Sequence, residues 1–307
     1  MSQLSKTARN ELESSVQSTI PRVGLGTWQT GGYQCFNAVQ HALELGYRHI
    51  DTAMAYENEA TVGRAIEVSD VDRDDVFLTT KVKGYPELLE YDRLLEAVEG
   101  SLERLGTDYV DLLLIHWWNP VSDMGSTFAA MDRLVEEGKV DNIGVSNFSV
   151  DQLRDAMGVS DSPILTNQVE HHVYWQNNDI LSYCQKNDIT LTAYSPLAEG
   201  LLVDDEQLAS IGDRYGKSAA QVAIRWLLQQ ENVVTIPKTV TPEHARSNMN
   251  VFDFSLSDEE IKIINNVEPA WWYRTNREGG RVSQLRGKLG RALPDSVSKK
   301  LAPAFGR

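Results

Sequence analysis

Short runs of apolar and β-branched residues alternate with longer amphipathic stretches along most of this chain. The apolar runs end at turn residues, and an amphipathic stretch follows each one, a pattern typical of parallel strands joined by crossover helices. Eight such units spread evenly over about 250 residues favour a closed barrel over an open doubly wound sheet. The predicted fold is therefore α/β, a single-domain (β/α)8 TIM barrel.

The individual elements can be assigned from this alternation. The predicted strands are VGLGT, RHID, VFLTTK, YVDLLLIH, VDNIGVSN, ILTNQVE, TLTAYSP and VVTIPK. The predicted helices follow them in the order Phe36–Leu45, Glu59–Val68, Tyr91–Leu105, Thr127–Glu137, Val150–Met157, Asp179–Asn187, Glu206–Tyr215 with Ala219–Gln230, and Pro242–Met249. Gly46, Gly106 and Gly138 come directly after three of these helices, where a left-handed C-cap favours glycine.

The composition suits a protein with one sizeable core. The chain has 307 residues, of which 41% are hydrophobic and 24% charged. Its N-terminus has no apolar signal region, and it contains no uncharged apolar stretch of about 18 residues, so we expect a cytoplasmic protein with no membrane partner. Cys35 and Cys184 are too few for a disulfide framework and lack metal-ligand spacing, so both are predicted to pack in the core and no metal site is predicted.

Net charge distinguishes the C-terminal segment from the rest of the chain. Residues 271–307 carry a net charge of +7, whereas residues 1–270 carry −22. An acidic body repels nucleic acid, so we expect no nucleic-acid partner. We also expect a monomer, with a weak oligomer left open. We predict a catalytic barrel over residues 1–270, with a short N-terminal extension, and a basic tail over 271–307 that packs near the barrel mouth or on the acidic surface.

Two glycine-containing segments resemble nucleotide-binding loops but fail in detail. The GLG of the first strand lacks the third glycine of a dinucleotide fingerprint, because Gln29 occupies that place. The segment GDRYGKS at residues 212–218 has its glycines one residue too close for a phosphate loop, and it follows a helix rather than a strand. Neither supports a Rossmann or nucleotide-triphosphatase function.

Four ionisable residues stand among neutral neighbours near strand ends. Asp51 and Tyr56 lie in HIDTAMAY, Lys81 ends VFLTTK, and His116 ends YVDLLLIH. Strands 2, 3 and 4 are neighbours in a sequentially wound barrel, so these side chains are expected to converge at its C-terminal mouth. A set of proton-handling groups at that place is typical of an enzyme active site.

Each residue of this quartet also has a purely structural interpretation. Lys81 and Asp51 could be a buried ion pair that only supports the barrel, and His116 could be a core histidine. Tyr56 favours catalysis, because a nearby ammonium is expected to lower the pKa of a phenol by a unit or more and make it a usable general acid. Burial is expected to keep His116 neutral, so that it can orient a carbonyl by donating one N–H.

The quartet and its flanking segments resemble the aldo-keto reductase family, in particular prokaryotic 2,5-diketogluconate and aldehyde reductases. The resemblance covers about residues 20 to 266 and rests on the segments VGLGTWQ, ALELGYRHIDTAMAYENEATVGRAI, LTTKV, SLERLGTDYVDLLLIHW, VDNIGVSNF, NQVEHHVY, AYSPLAEGLL and IPKTVTPEHARSN. It implies an NAD(P)H-dependent reductase of aldehydes or ketones in which the cofactor binds first. Hydride passes to the carbonyl carbon, Tyr56 protonates the oxygen, Lys81 held by Asp51 acidifies Tyr56, and His116 orients the carbonyl.

The same resemblance implies a set of cofactor contacts. They are Thr27, Trp28 and Asp51 near the nicotinamide, Ser146, Asn147 and Gln168 on its carboxamide, Tyr194 stacked on its ring, Ser195 and Leu197 on the pyrophosphate, and Lys238, Thr239, His244 and Asn248 around the adenosine 2′-phosphate. The chain departs from the family where an arginine usually follows, since His244 stands there. NADPH is expected to be preferred, with NADH also used.

The resemblance says less about the substrate. Trp28, Tyr56, His116 and Trp117 are expected to line the substrate pocket, with Trp118 adding aromatic surface. The tail residues Trp271 and Trp272 are further candidates for the same surface. Aldehydes, α-keto aldehydes and sugar-derived ketones all suit such walls. Two other functions stay open: a nicotinamide-binding regulatory protein with residual reductase activity, and an aldolase that uses Lys81 as a Schiff base, although Asp51 would keep that lysine charged.

Overall fold

The computed structural model describes residues 19–268. Its centre is an eight-stranded parallel sheet in which each strand is hydrogen-bonded to the next along the chain. The strands are β1 (Leu25–Gly26), β2 (His49–Asp51), β3 (Phe77–Val82), β4 (Val110–Ile115), β5 (Val140–Ser146), β6 (Ile164–Glu170), β7 (Thr190–Tyr194) and β8 (Val233–Thr235). The predicted parallel order is confirmed.

The sheet closes on itself where β1 meets β8. The backbone amide of Gly24 donates to the Thr235 oxygen at 2.8 Å, and that of Thr235 donates to the Arg22 oxygen at 2.9 Å. A Cβ atom on Gly26 would lie 2.7 Å from the carbonyl oxygen of Ile236, so this close approach requires glycine. Closure removes both edges of the sheet and confirms the predicted (β/α)8 barrel.

Helices cover the outside of the barrel. Those of residues 19–268 are α1 (Gly32–Glu44), α2 (Glu59–Glu67), α3 (Tyr91–Leu105), α4 (Met124–Glu136), α5 (Val150–Val159), α6 (Asn178–Lys186), α7 (Glu206–Asp213), α8 (Ala219–Leu228), α9 (Pro242–Met249) and α10 (Asp258–Asn265). Short 3-10 turns at Met54–Tyr56, Arg73–Asp75, Pro86–Leu88 and Ala198–Asp204 lie in the connections.

The sequence pattern misplaced some element ends. The first helix begins at Gly32 instead of Phe36, and its buried face already includes Cys35 together with Ala38, Val39, Ala42 and Leu43. The helix α10 was not predicted, and β1 has two residues where five were expected. The three glycine caps are confirmed, with positive φ values of 96° at Gly46, 66° at Gly106 and 68° at Gly138.

Apolar side chains fill the barrel and the layer between sheet and helices. One cluster joins Ile20, Leu112, Leu114 and Val234, each no more than 2% exposed. Cys35 and Cys184 are buried and free, as the packing interpretation predicted. The polar residues discussed below lie at the C-terminal ends of the strands, the end at which barrel enzymes carry their active sites.

The predicted boundary at residue 270, the basic tail 271–307, Trp271 and Trp272 lie outside the described residues. That division of the chain remains a prediction. Over residues 19–268, the structure contains no helix that is both long enough and apolar enough to cross a membrane.

Candidate active site

The four residues of the predicted quartet lie at the C-terminal end of the barrel. Asp51 is the last residue of β2, Lys81 is next to last in β3, and His116 directly follows β4. Tyr56 ends the 3-10 turn that follows β2. Parallel pairing of β2 with β3 and of β3 with β4 brings the three strand ends side by side.

The Lys81 ammonium has three oxygen neighbours. Its Nζ atom lies 2.5 Å from Asp51 Oδ1, 2.8 Å from the Thr52 carbonyl oxygen and 3.5 Å from the Tyr56 hydroxyl. The side chains of Lys81 and Asp51 are 0% and 2% exposed. Three donors therefore meet three acceptors, which is the condition for keeping a lysine in a barrel interior.

The pKa of Tyr56 differs from the sequence-based expectation. Burial raises it above the ordinary value of a phenol, and the Asp51 carboxylate raises it further. The predicted lowering of this pKa by Lys81 was wrong, because the ammonium contacts Asp51 a full ångström more closely than it contacts the phenol. The resting phenol therefore holds its proton.

His116 is a neutral imidazole beside this tyrosine. Its ring lies edge-to-face with Tyr56, with 5.6 Å between the ring centroids. Burial, and then the charge of Lys81, lower the pKa of His116 to about 3. Its Nδ1 atom is buried and has no hydrogen-bond partner among the described residues. The predicted neutral form is confirmed.

Gln168 holds the second oxygen of Asp51. Its Nε2 atom donates to Asp51 Oδ2 at 2.7 Å, and Gln168 is 3% exposed. The sequence placed Gln168 only with the cofactor carboxamide, because no pattern links residues that are 117 positions apart. Asp51 is thus held by Lys81 on one oxygen and by Gln168 on the other.

The polar residues at the ends of β5 to β7 form a connected network. Ser146 Oγ donates to the Gln168 carbonyl oxygen at 2.8 Å. Asn147 Nδ2 donates to Ser146 Oγ and to the His116 carbonyl oxygen, both at 3.0 Å. The Tyr194 hydroxyl donates to Asn147 Oδ1 at 3.0 Å. The set predicted to meet the nicotinamide is therefore assembled in one place.

Asn58 joins the loops that follow β1 and β2, and the sequence analysis missed it. It is 2% exposed, and its Nδ2 atom donates to the carbonyl oxygens of Thr27 at 2.9 Å and Thr30 at 3.0 Å. Its Oδ1 atom accepts the Thr52 hydroxyl at 2.7 Å. Thr27 in turn donates its hydroxyl to the Asp51 carbonyl oxygen at 3.0 Å. The position of Asn58, two residues beyond Tyr56, was the available signal.

The other predicted cofactor residues lie on the loops that follow β7 and β8. Ser195 has a left-handed φ of 49°, and Leu197 precedes the 3-10 turn Ala198–Asp204. Beyond β8, Lys238 is exposed and Thr239 is buried, while α9 carries an exposed His244 and a buried Asn248. They are on the same side of the barrel as the quartet.

Several aromatic residues lie on the loops at the same end of the barrel as the quartet. The Trp117 ring lies 4.9 Å from the His116 ring and 5.7 Å from that of Tyr85, between centroids. Trp118 packs against Phe148 with 6.0 Å between ring centroids. Trp28 is 44% exposed on the loop after β1, so apolar surface is available at this mouth.

A closed (β/α)8 barrel with a buried lysine–carboxylate pair beside a protonated tyrosine defines a class of barrel enzymes that deliver protons at the C-terminal mouth. The comparison with known families places the chain more narrowly. Residues 22–269 match the model of the Aldo/keto reductase family, and the chain belongs to that family. It is an NAD(P)H-dependent oxidoreductase that acts on small carbonyl compounds.

Several relatives resemble the chain over most of its length. An aldo-keto reductase of Mycolicibacterium smegmatis is 43% identical over 82% of this chain and 90% of its own. The aldo-keto reductase family 1 member A1-A of Danio rerio is 39% identical over 81% and 87%. The 9,11-endoperoxide prostaglandin H2 reductase of Trypanosoma cruzi is 40% identical over 83% and 90%.

Solved structures show the same fold. A putative 2,5-diketo-D-gluconic acid reductase B superposes with a TM-score of 0.79 at 41% identity, covering 82% of this chain and 89% of that one. An aldo-keto reductase from a Medee basin deep-sea metagenome library has a TM-score of 0.77 at 46% identity, covering 81% and 92%.

Proposed function

We propose that the chain reduces an aldehyde or ketone with NADPH as its preferred hydride donor and Tyr56 as its proton donor. The observation that supports this assignment most directly is the arrangement of Lys81, whose Nζ atom lies 2.5 Å from Asp51 Oδ1 and 3.5 Å from the Tyr56 hydroxyl. A buried ammonium between a carboxylate and a phenol has a use in acid catalysis that a structural ion pair does not need.

The residues present suit a nicotinamide cofactor. Hydroxyl and amide groups of Ser146, Asn147 and Gln168 match the hydrogen-bonding needs of a carboxamide, and the Tyr194 ring offers an aromatic face. When bound, the reduced nicotinamide supplies the hydride to the carbonyl carbon. The contacts proposed for the rest of the cofactor involve Thr27, Trp28, Ser195, Leu197, Lys238, Thr239, His244 and Asn248.

Tyr56 delivers the proton to the carbonyl oxygen and becomes a phenolate. At the 3.5 Å separation from Lys81 Nζ, the attraction between phenolate and ammonium is on the order of 5 kcal/mol for an effective dielectric constant of about 20. The ammonium thus stabilises the product of proton transfer, even though burial raises the resting pKa of Tyr56. Lys81 acts on the phenolate as it forms.

His116 orients the carbonyl oxygen. Its pKa of about 3 keeps the ring neutral, so it carries one N–H. We assign that proton to Nε2, because a proton on the buried, partnerless Nδ1 would lack an acceptor among the described residues. The Nε2–H group is then available to donate to the substrate oxygen.

For the substrate, we propose a class of carbonyl compounds and no single compound. The aromatic side chains of Trp28, Tyr85 and Trp117 favour a carbonyl compound that presents some apolar surface at the mouth. The names of the relatives include a diketo sugar acid and a prostaglandin endoperoxide, so the shared barrel accommodates different substrates. Aldehydes, α-keto aldehydes and sugar-derived ketones are the compounds to assay first.

Reductase activity is favoured over the alternatives. A regulatory nicotinamide-binding protein does not need the complete quartet, and every member is present here. Schiff-base chemistry needs a neutral, accessible amine, whereas Lys81 is 0% exposed and paired with Asp51. The proposal includes a cytoplasmic location, which the absence of an apolar signal region in the sequence favours, and a monomer.

The test compares NADPH and NADH consumption by the wild type, Tyr56→Phe and Tyr183→Phe across a panel of aldehydes and ketones. Loss of a positioned general acid is expected to lower kcat by roughly 10²- to 10⁴-fold. The control variant, Tyr183→Phe, removes the hydroxyl oxygen of a tyrosine on the outer helix α6. Cofactor affinity, measured by fluorescence titration, should be retained in both variants. Full activity in Tyr56→Phe would refute the assigned mechanism.

A further inference from the structure

Gln168 joins two parts of the site that the catalytic scheme treats separately. We propose that Gln168 is a positioning residue that fixes Asp51 for proton delivery and couples the Asp51–Lys81–Tyr56 contacts to the nicotinamide subsite. The inference rests on the proposed function, since it assumes that Tyr56 is the acid and that Ser146 and Asn147 lie where the carboxamide binds.

The side chain of Gln168 reaches across the barrel interior. Asp51 ends β2 and Gln168 lies in β6, so several strands separate them around the sheet. The two side chains nevertheless meet in the interior, with Gln168 Nε2 at 2.7 Å from Asp51 Oδ2. Both residues are buried, at 3% and 1% exposed. A buried amide that donates to a carboxylate forms a charge-assisted bond, which is stronger than one between neutral groups.

Two hydrogen-bond partners fix the orientation of the Asp51 carboxylate. A carboxylate held through one oxygen can rotate about its Cβ–Cγ bond, because this torsion between sp³ and sp² atoms is soft. Lys81 holds Oδ1 and Gln168 holds Oδ2, so the carboxylate plane is fixed. Fixing Oδ1 also fixes the Lys81 ammonium and, through it, the direction of the N–H group that faces the Tyr56 hydroxyl at 3.5 Å.

The backbone of Gln168 contacts the residues of the proposed nicotinamide subsite. The Gln168 carbonyl oxygen accepts the Ser146 hydroxyl at 2.8 Å and the Asn147 backbone amide at 2.9 Å. Gln168 therefore contacts Asp51 through its side chain. Through its backbone it contacts Ser146 and Asn147, the residues proposed to bind the nicotinamide carboxamide. A shift at one group is transmitted to the other through a single residue.

The most informative variant is Gln168→Glu. It keeps the size of the side chain and replaces the amide NH2 donor with a carboxyl oxygen. Above the pKa of the new carboxyl, two carboxylates face each other and repel, and the Asp51 orientation is lost. Below that pKa, the protonated carboxyl can donate to Asp51 Oδ2 and restore the contact. Close carboxylates raise one pKa strongly. The variant should therefore approach wild-type behaviour only as the pH falls.

Two measurements follow this dependence. In steady-state kinetics at saturating NADPH, kcat of Gln168→Glu relative to wild type should fall at least tenfold between about pH 5 and pH 8. Without cofactor, its Tm relative to wild type should fall over the same interval. Gln34→Glu makes the same chemical change at an exposed side chain on α1 and should follow the wild type in both measurements.

Gln168→Met provides a neutral variant of similar size. It should lower kcat at saturating NADPH by at least tenfold at every pH, with a Tm difference that does not depend on pH. A result in which either variant weakens NADPH binding but leaves kcat unchanged would make Gln168 a cofactor ligand only and overturn the inference. Parallel Tm profiles for Gln168→Glu and Gln34→Glu would overturn it as well.

Failure of the proposed function gives a different result. A wild-type chain that reduces no carbonyl compound contradicts that function, whatever the variants do. The Tm comparison needs neither cofactor nor activity, so it still reports whether Gln168 holds Asp51. Wild-type activity with a pH-independent Gln168→Glu variant contradicts only the positioning role.

Discussion

Lys81 and Asp51 form an ion pair with 2.5 Å between Nζ and Oδ1, and neither side chain is more than 2% exposed. Burial lowers the pKa of Lys81, and the Asp51 carboxylate opposes that lowering. The two charges are therefore compatible with the barrel interior only as a pair. Removing one partner leaves the other charge buried and uncompensated.

The variant Lys81→Met is expected to lose stability as well as activity. An uncompensated buried charge costs about 3–5 kcal/mol, so urea unfolding should show a loss of that order. The double variant Asp51→Asn with Lys81→Met removes both charges and should regain most of that stability, while its carbonyl reduction stays low. Equal stability losses in the single and double variants would contradict the paired-charge explanation.

Acid stability should depend on His49, which lies two residues before Asp51 and is 1% exposed. Burial lowers its pKa from 6.5 to about 4. The unfolded chain therefore takes up a proton below about pH 6.5, while the folded chain resists until about pH 4. The contribution of His49 to the free energy of unfolding is complete above its pKa in the unfolded chain and falls as the pH drops. About 2 kcal/mol of it is lost by pH 5.

The test uses His49→Gln, which retains a polar group for the Thr79 hydroxyl that contacts His49 Nε2 at 3.1 Å. The free energy of unfolding of wild type should decrease by about 2 kcal/mol more than that of the variant between about pH 7 and pH 5. The buried His171 is common to both proteins and cancels in the comparison. Identical pH slopes would show that His49 does not carry this dependence.

The sequence predicted the barrel because alternation of apolar runs and amphipathic stretches is a local property repeated eight times. It placed the quartet because Asp51, Lys81 and His116 stand at strand ends. It could not find the contact from Gln168 to Asp51, since the two residues meet only after the barrel closes. The raised pKa of Tyr56 also depends on burial and on competition for Lys81, neither of which the sequence shows.

Gly84 should be intolerant of a side chain. A Cβ atom there would lie 1.9 Å from the Trp117 carbonyl oxygen and 2.5 Å from its Cδ1 atom. Gly84→Ala must displace Trp117, whose ring packs on His116 with 4.9 Å between centroids. We expect lower stability, by about 1–3 kcal/mol as for other overpacked sites, and a several-fold rise in KM for the carbonyl substrate.

A matched control for Gly84→Ala is Gly158→Ala on α5. A Cβ atom at Gly158 would have no neighbouring atom within 4 Å. Alanine is favoured over glycine in a helix, so this variant should be as stable as wild type or more stable by up to about 1 kcal/mol. Its KM should not change. A Gly84→Ala enzyme with wild-type KM would mean that Trp117 does not contribute to the substrate pocket.

Lys238 is expected to set the preference between the two nicotinamide cofactors. It is exposed on the loop between β8 and α9, and its ammonium can attract a phosphate that NADPH carries and NADH lacks. Lys238→Met should raise KM for NADPH by tenfold or more and leave KM for NADH unchanged. Added salt should narrow the difference between the cofactors in wild type, because the contact is exposed to solvent.

The exposed His244 on α9 stands where the family usually has an arginine, so the preference for NADPH over NADH should be limited. Dual use predicts that the catalytic efficiencies with NADPH and NADH differ by less than about a thousandfold, or roughly 4 kcal/mol. Lys186→Met, on the outer helix α6, removes an equivalent exposed charge and should change neither cofactor's KM. If Lys238→Met weakens both cofactors equally, Lys238 contacts a group they share, and discrimination must come from another residue.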